Sequence, residues 1–156
     1  MKSVVIYASR SGNTRVIAEA IANELGKHGT VELHPVDRAP RVFPAGIDLV
    51  VVGGPTEGHG MTEPVIAYLD GITVTALDGI AVAAFDTRLW WPRALSGSAA
   101  SGIAKRLQEV GGWLAVREES FIVSMKPALE PGEVERAGVW AAALAERVEA
   151  RTVATI

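Results

Sequence analysis

The amino-acid sequence predicts a doubly wound α/β fold on a five-stranded parallel sheet. Two observations carry this. Five short apolar runs alternate with stretches of helical periodicity along the chain, the pattern of repeated strand–helix–strand units. The third run, Leu49 to Val52, is apolar without interruption, as expected of a strand covered by helices on both faces. A third observation bears on function. The first run ends in the turn Ser9-Arg10-Ser11-Gly12-Asn13-Thr14, which opens directly into the first helical pattern.

The elements follow in order. The first strand is expected over Ser3–Ala8. The first helix is expected over Asn13–Leu25, with Ile17, Ala20, Ile21 and Leu25 inward and Gly26 to end it. The second strand is Val31–His34. The link Asp37–Gly46 carries Pro40 and Pro44, which remove N–H donors and push the residues before them out of helical dihedrals. A helix between the second and third strands is therefore expected to be reduced or absent. The third strand is Asp48–Gly53, followed by a helix opening at Glu63. The fourth strand is Ile80–Phe85. A helix from near Ser98 buries Ile103, Leu107 and Val110. The fifth strand is Trp113–Val116, resuming at Phe121–Val123. The last helix starts near Pro131 and buries Val134, Ala137, Leu144 and Val148. No repeat or low-complexity stretch is present, and residues 1–156 are expected to form a single domain.

Composition narrows the function classes. A chain of 156 residues, 49% hydrophobic, is long enough for a substantial core. No apolar run approaches the roughly 18 residues of a membrane span. Met1-Lys2 runs straight into the first strand, which leaves no room for a leader peptide. The absence of cysteine excludes disulfides and thiolate metal sites and fits a cytoplasmic protein. A net charge of −3 argues against a nucleic-acid partner.

The turn Ser9 to Thr14 has the chemistry of an anion site. The first N–H groups of a helix lack internal partners, and the helix dipole favours negative charge there. Ser9, Ser11 and Thr14 add hydroxyls, Asn13 adds an amide, and Gly12 allows close backbone approach. Several phosphate chemistries are excluded. A triphosphate loop needs a Lys after its glycines, a dinucleotide fingerprint needs three glycines, and a cysteine phosphatase needs a Cys. Neutral donors suit a bound phosphomonoester better than phosphoryl transfer. At this point the chain resembles the flavodoxin family, whose Ser/Thr-x-Ser/Thr-Gly-Asn-Thr turn holds the phosphate of FMN. Ser9 to Thr14 matches that pattern at each defined position. The resemblance implies strand order 2-1-3-4-5, FMN as cofactor, and a short-chain member. It also implies a ligand at the carboxyl ends of the strands, at the switch point between strands one and three.

Two further loops should converge there. After the third strand comes Gly53-Gly54-Pro55-Thr56-Glu57-Gly58-His59-Gly60-Met61, rich enough in glycine to approach a flat ring. Gly58 and Gly60 would let a peptide turn over and offer its carbonyl to a ring N–H, and His59 stands at the ring by stacking or bonding, or else on the surface. After the fourth strand comes Asp86-Thr87-Arg88-Leu89-Trp90-Trp91-Pro92-Arg93. The resemblance implies an Asp at the start of this loop, which Asp86 matches, and a ring-stacking aromatic near Leu89 or Trp90. Trp90 is the favoured stacker, with Trp91 left open. The cofactor-binding set is thus Ser9 to Thr14, Pro55 to Gly60 and Asp86 to Trp91. Arg10, Arg88 and Arg93 bring positive charge towards the ring, against a strongly reducing carrier.

Three functional readings fit. The leading one is an FMN-binding electron shuttle, monomer or homodimer, between redox partner proteins that the sequence does not identify. The second is an FMN-dependent NAD(P)H or quinone reductase on the same scaffold. The third is a flavin-free interaction domain.

Overall fold

The structure, a computed structural model, describes residues 1–126 and 128–156. A parallel sheet runs in the order β2-β1-β3-β4-β5, with a sixth strand, β6, also paired to β4. The strands are β1 (Lys2–Tyr7), β2 (Thr30–Pro35), β3 (Leu49–Pro55), β4 (Ala81–Leu89), β5 (Trp113–Leu114) and β6 (Glu119–Val123). The helices are α1 (Asn13–Leu25), α2 (Glu63–Asp70), α3 (Arg93–Ser96), α4 (Ala99–Glu109) and α5 (Glu133–Thr155). This is the predicted doubly wound arrangement, and no helix stands between β2 and β3.

The sheet divides the core in two because neighbouring strand residues point to opposite faces. Val4, Ile6, Val50, Val52, Val82 and Ala84 pack with α2 and α4 residues such as Val65, Leu69, Ile103 and Leu107. Val5, Leu49, Val51, Ala83 and Phe85 pack with Ile17, Ile21 and Leu25 of α1 and Ala141, Leu144 and Val148 of α5. The link that replaces a helix is held by Tyr68. Its buried hydroxyl donates to the Pro40 carbonyl at 2.5 Å. Burial pushes the Tyr68 phenol well above its ordinary pKa, although Arg41 pulls the other way.

Two expectations are corrected. The fourth strand does not end at Phe85. It continues to Leu89 because Gly54 and Pro55 pair with Asp86 and Thr87 on one side, and β6 pairs with Phe85 to Leu89 on the other. Asp86, Thr87, Arg88 and Leu89 therefore project from a strand rather than a loop. The fifth row of the sheet resumes after a break as expected, with β5 against Ala81 and Val82 and β6 further along β4. On the last helix, Val134 is 40% exposed, and Glu133 takes the inward place. Its carboxylate accepts from the Ile122 N–H at 2.6 Å and from Arg136 at 2.7 Å. Burial alone would raise the Glu133 pKa, but these donors outweigh it and hold it below the ordinary value.

Candidate functional site

Three segments meet at the carboxyl ends of β1, β3 and β4. The turn after β1 is tied to β3 through Ala8 N–H, which donates to the Gly53 carbonyl at 3.0 Å. Gly12 precedes α1 with φ of 95°, a left-handed conformation that glycine adopts without strain. The Ser9 hydroxyl accepts from Gly12 N–H at 3.2 Å and Arg15 N–H at 3.3 Å, which curls the turn. Asn13 Nδ2 donates to Ser11 Oγ at 3.3 Å. The N–H groups of Arg10, Ser11, Asn13 and Thr14 have no acceptor among the described residues. A cluster of unpaired amides at a helix N-terminus fits an oxyanion. Thr14 is buried, and its hydroxyl pairs with that of Thr87 at 2.8 Å, which locks the turn to β4.

The segment after β3 is a tight hairpin. Glu57 and Gly60 exchange backbone hydrogen bonds of 3.0 and 3.1 Å. Both intervening residues are left-handed, Gly58 at φ 54° and His59 at φ 70°. Two positive φ values in succession are the geometry of a type I′ turn. The hairpin leans on Gly97, which bridges to His59 and has φ 73° and ψ −175°. A Cβ at Gly97 would run into the His59 backbone, so only glycine permits this contact. Arg10 Nη1 reaches across from the first turn to Glu57 Oε2 at 2.9 Å, joining the two segments at the surface.

The end of β4 is organised by α4. Each of the first three α4 amides has a side-chain acceptor. Ala99 N–H donates to Thr56 Oγ1 at 2.9 Å, Ala100 N–H to Asp86 Oδ2 at 2.9 Å, and Ser101 N–H to Ser98 Oγ at 3.4 Å. Thr56 and Ser98 in turn donate to Asp86 Oδ2 at 3.1 and 2.8 Å. The fully buried Asp86 carboxylate thus caps α4 and fastens the hairpin to it, with the helix dipole in its favour.

Two clefts flank the hairpin. The first, about 410 Å³, lies between the turn and the hairpin and is lined by Ala8, Ser9, Arg10, Pro55, Glu57 and Gly58, with Thr62 to Pro64 at its far wall. The second, about 190 Å³, lies between the hairpin and α3. Thr56, Gly58, His59, Arg88, Leu89, Trp91, Leu95 and Ser96 line it.

A family model described as a flavodoxin domain matches residues 4–121. The chain belongs to the flavodoxin family. A flavodoxin from the domain Archaea superimposes with a TM-score of 0.75 at 24% identity, over 96% of this chain and 99% of that one. Oxidised Flavodoxin 1 from Bacillus cereus gives a TM-score of 0.80 at 23% identity, over 94% and 98%. Rubredoxin oxygen:oxidoreductase from Desulfovibrio gigas matches at 0.72 and 18% identity, over 97% of this chain but 37% of that one. At these identities the likenesses show the shared fold. A comparison with curated proteins found no match.

Within this flavodoxin fold the predicted site residues separate into groups. Ser9 and Arg10 border the first cleft with Pro55, Glu57 and Gly58, and the turn formed with Ser11, Gly12, Asn13 and Thr14 is adjacent. Thr56, His59, Arg88, Leu89 and Trp91 border the second cleft, while Gly60 closes the hairpin. Asp86 and Thr87 are buried below, engaged in the α4 cap and the Thr14 pair. Trp90 is 65% exposed and lines neither cleft, whereas Trp91 lines the second. Sequence reasoning missed Gly97, Ser98, Leu95 and Ser96. The Ser98 cap was readable as a Ser before a helical pattern. The Gly97 brace was not, because the contact is between segments remote in sequence. The three cations differ. Arg10 pairs with Glu57, Arg93 lies 3.7 Å from Glu118, and Arg88 has no carboxylate partner among the described residues. No cluster of His, Cys, Asp or Glu among the described residues is suited to a metal, and no described helix is long and apolar enough to cross a membrane.

Proposed function

We propose that this chain binds FMN and serves as an electron carrier between redox proteins. The carrying observation is the turn before α1, where four backbone N–H groups without acceptors among the described residues meet a glycine in the left-handed region and the hydroxyls of Ser9 and Ser11. This donor set fits a phosphomonoester, and family membership supports FMN as the molecule that bears it. Bound flavin supplies the capacity to take up and release electrons.

The remaining residues bind and orient. The Ser9–Thr14 turn receives the phosphate, with Arg10 adding a positive charge that Glu57 holds in place. Ala8, Pro55 and the Glu57–Gly58 backbone form the wall of the first cleft, against which a flat ring can lie. In a type I′ turn the central peptide reverses to type II′ by rotation about Gly58 ψ and His59 φ, with little movement of the strands. Gly58 lies against open space, so the hairpin can turn its carbonyl towards the cleft. His59 would leave the left-handed region in the process, which relieves its own backbone strain.

The carrier reading is favoured over an NAD(P)H reductase by the size of the second cleft. Its 190 Å³ is well below the roughly 300 Å³ at which pockets begin to hold drug-sized ligands, and far too small for a dinucleotide. The test is to load the protein with FMN and record its visible spectrum. The loaded protein should be reduced by dithionite, pass electrons to cytochrome c, and resist NAD(P)H until a reductase is added. Rapid oxidation of NAD(P)H by the loaded protein alone would establish the reductase instead. Failure to retain FMN would remove both.

A further inference from the structure

We propose that the free edge of β2 pairs antiparallel with β2 of a second copy of this chain, giving a two-fold dimer with one continuous sheet. The reasoning needs the edge alone and does not depend on the flavin reading.

β2 is the last strand on its side of the sheet and pairs only with β1. Thr30 N–H donates to the Met1 carbonyl at 3.0 Å and Val36 N–H to the Tyr7 carbonyl at 2.8 Å, so the even-numbered residues turn their backbone groups towards β1. The pleat then turns the N–H and carbonyl of Val31 and Leu33 outward, and neither residue has another backbone partner among the described residues. Pro35 also faces outward. It has no N–H, and its carbonyl accepts from Arg38 N–H at 3.0 Å, which ends the open edge. The link to β3 carries no helix that could overhang this edge. Unpaired edge groups of this kind are a template for another strand.

The side chains choose the occupant. Val31 and Leu33 lie half-buried on the α1 face, while Glu32 and His34 stand on the opposite face, 3.7 Å apart. A carboxylate on an edge strand ordinarily repels a second strand. Two registers of self-pairing overlap nearly the whole of β2. Centred on Glu32, the two Glu32 carboxylates face one another at a close position without hydrogen bonds between their backbones, which is destabilising. Centred on Leu33, each Glu32 instead faces His34 of the second copy, so that acids and imidazoles alternate across the seam. In this register the two Leu33 residues exchange N–H···O=C bonds. Each Val31 N–H points at the remaining lone pair of the Pro35 carbonyl of the second copy. On the other face the two Leu33 side chains meet and extend the apolar stripe. Two-fold symmetry repeats every match, which singles out a second copy over an unrelated strand.

Sedimentation velocity from micromolar to millimolar protein, with and without added FMN, reads the association. A reversible monomer–dimer equilibrium is expected in both states. Across that range the Val31 and Leu33 amides should slow tenfold or more in hydrogen exchange followed by NMR. The Glu32 and His34 amides, already turned towards β1, should change little. His34→Glu sets carboxylates opposite one another and should weaken the dimer at least tenfold. The swapped double variant, Glu32→His with His34→Glu, opposes unlike groups again and should restore it. A parent that stays monomeric throughout would overturn the proposal. So would a dimer indifferent to His34→Glu, one that the swap fails to restore, or one whose Val31 and Leu33 amides exchange as fast as in the monomer.

Discussion

The Asp86 carboxylate is the cap of α4, and the structure gives the cost of removing it. In Asp86→Ala the Ala100 N–H is left buried without an acceptor, a loss of about 1–3 kcal/mol. The Thr56 and Ser98 hydroxyls lose hydrogen bonds to a charged group, about 1.5–3 kcal/mol each in isolation, but each keeps a backbone N–H to accept. Removing Asp86 also removes the cost of burying a carboxylate whose Oδ1 has no partner. The balance is a destabilisation of about 3 kcal/mol, against a total of about 5–15 kcal/mol for an ordinary domain. With an m-value of about 2 kcal/mol/M, the urea midpoint should fall by about 1.5 M. Asp86→Asn keeps an acceptor oxygen and should lose about 1 kcal/mol, chiefly the attraction of the helix N-terminus for a negative charge. Hydrogen exchange localises the effect, since the amides of Ala99, Ala100 and Ser101 should exchange faster in the Ala variant than those of α1. An Asp86→Ala protein within 0.5 kcal/mol of the parent, with these amides still protected, would refute the assignment of the carboxylate to the cap.

Other substitutions probe the same framework. Gly97→Ala places a residue at φ 73° and ψ −175° and pushes its Cβ into the His59 backbone. It should cost about 2–4 kcal/mol, read as a fall of about 5–15 °C in Tm, and weaken FMN by loosening the hairpin. An unchanged Tm would mean that the hairpin does not rest on Gly97. Glu133 sets part of the acid limit. Its pKa is lowered in the fold, so its contribution is fully present above the ordinary value of 4.5 and is lost as pH falls through the lower folded value. Glu133→Gln should therefore flatten the decline of stability below about pH 4.5, and an unaltered acid limb would contradict the Arg136–Ile122 arrangement.

The fold was legible because its signal is repeated. The uninterrupted Leu49 to Val52 run, the Ile17–Ile21–Leu25 stripe and the two prolines of the Asp37–Gly46 link are local patterns with one physical reading each. The turn Ser9 to Thr14 was legible for the same reason, since strand, turn and helix N-terminus are contiguous. The end of β4 was not. Whether Asp86 to Leu89 continue a strand depends on β6, more than thirty residues later, and on Gly54 and Pro55. The same dependence on remote partners hid the role of Asp86 in the α4 cap, and placed Trp91 rather than Trp90 at a cleft. Val134 misled because its apolar character fits the helical stripe, while the inward place went to a carboxylate whose donors come from β6 and the next turn of α5.

The central claim is that the turn before α1 holds the phosphate of FMN, and the most direct measurement is a parallel titration of FMN and riboflavin into the same protein. The two share the ring and ribityl chain and differ only in the phosphate. Two charge-assisted hydrogen bonds from the free amides, at about 1.5 kcal/mol each, already favour FMN by about a hundredfold. The account predicts a difference of at least that size. Equal affinities for FMN and riboflavin would contradict it.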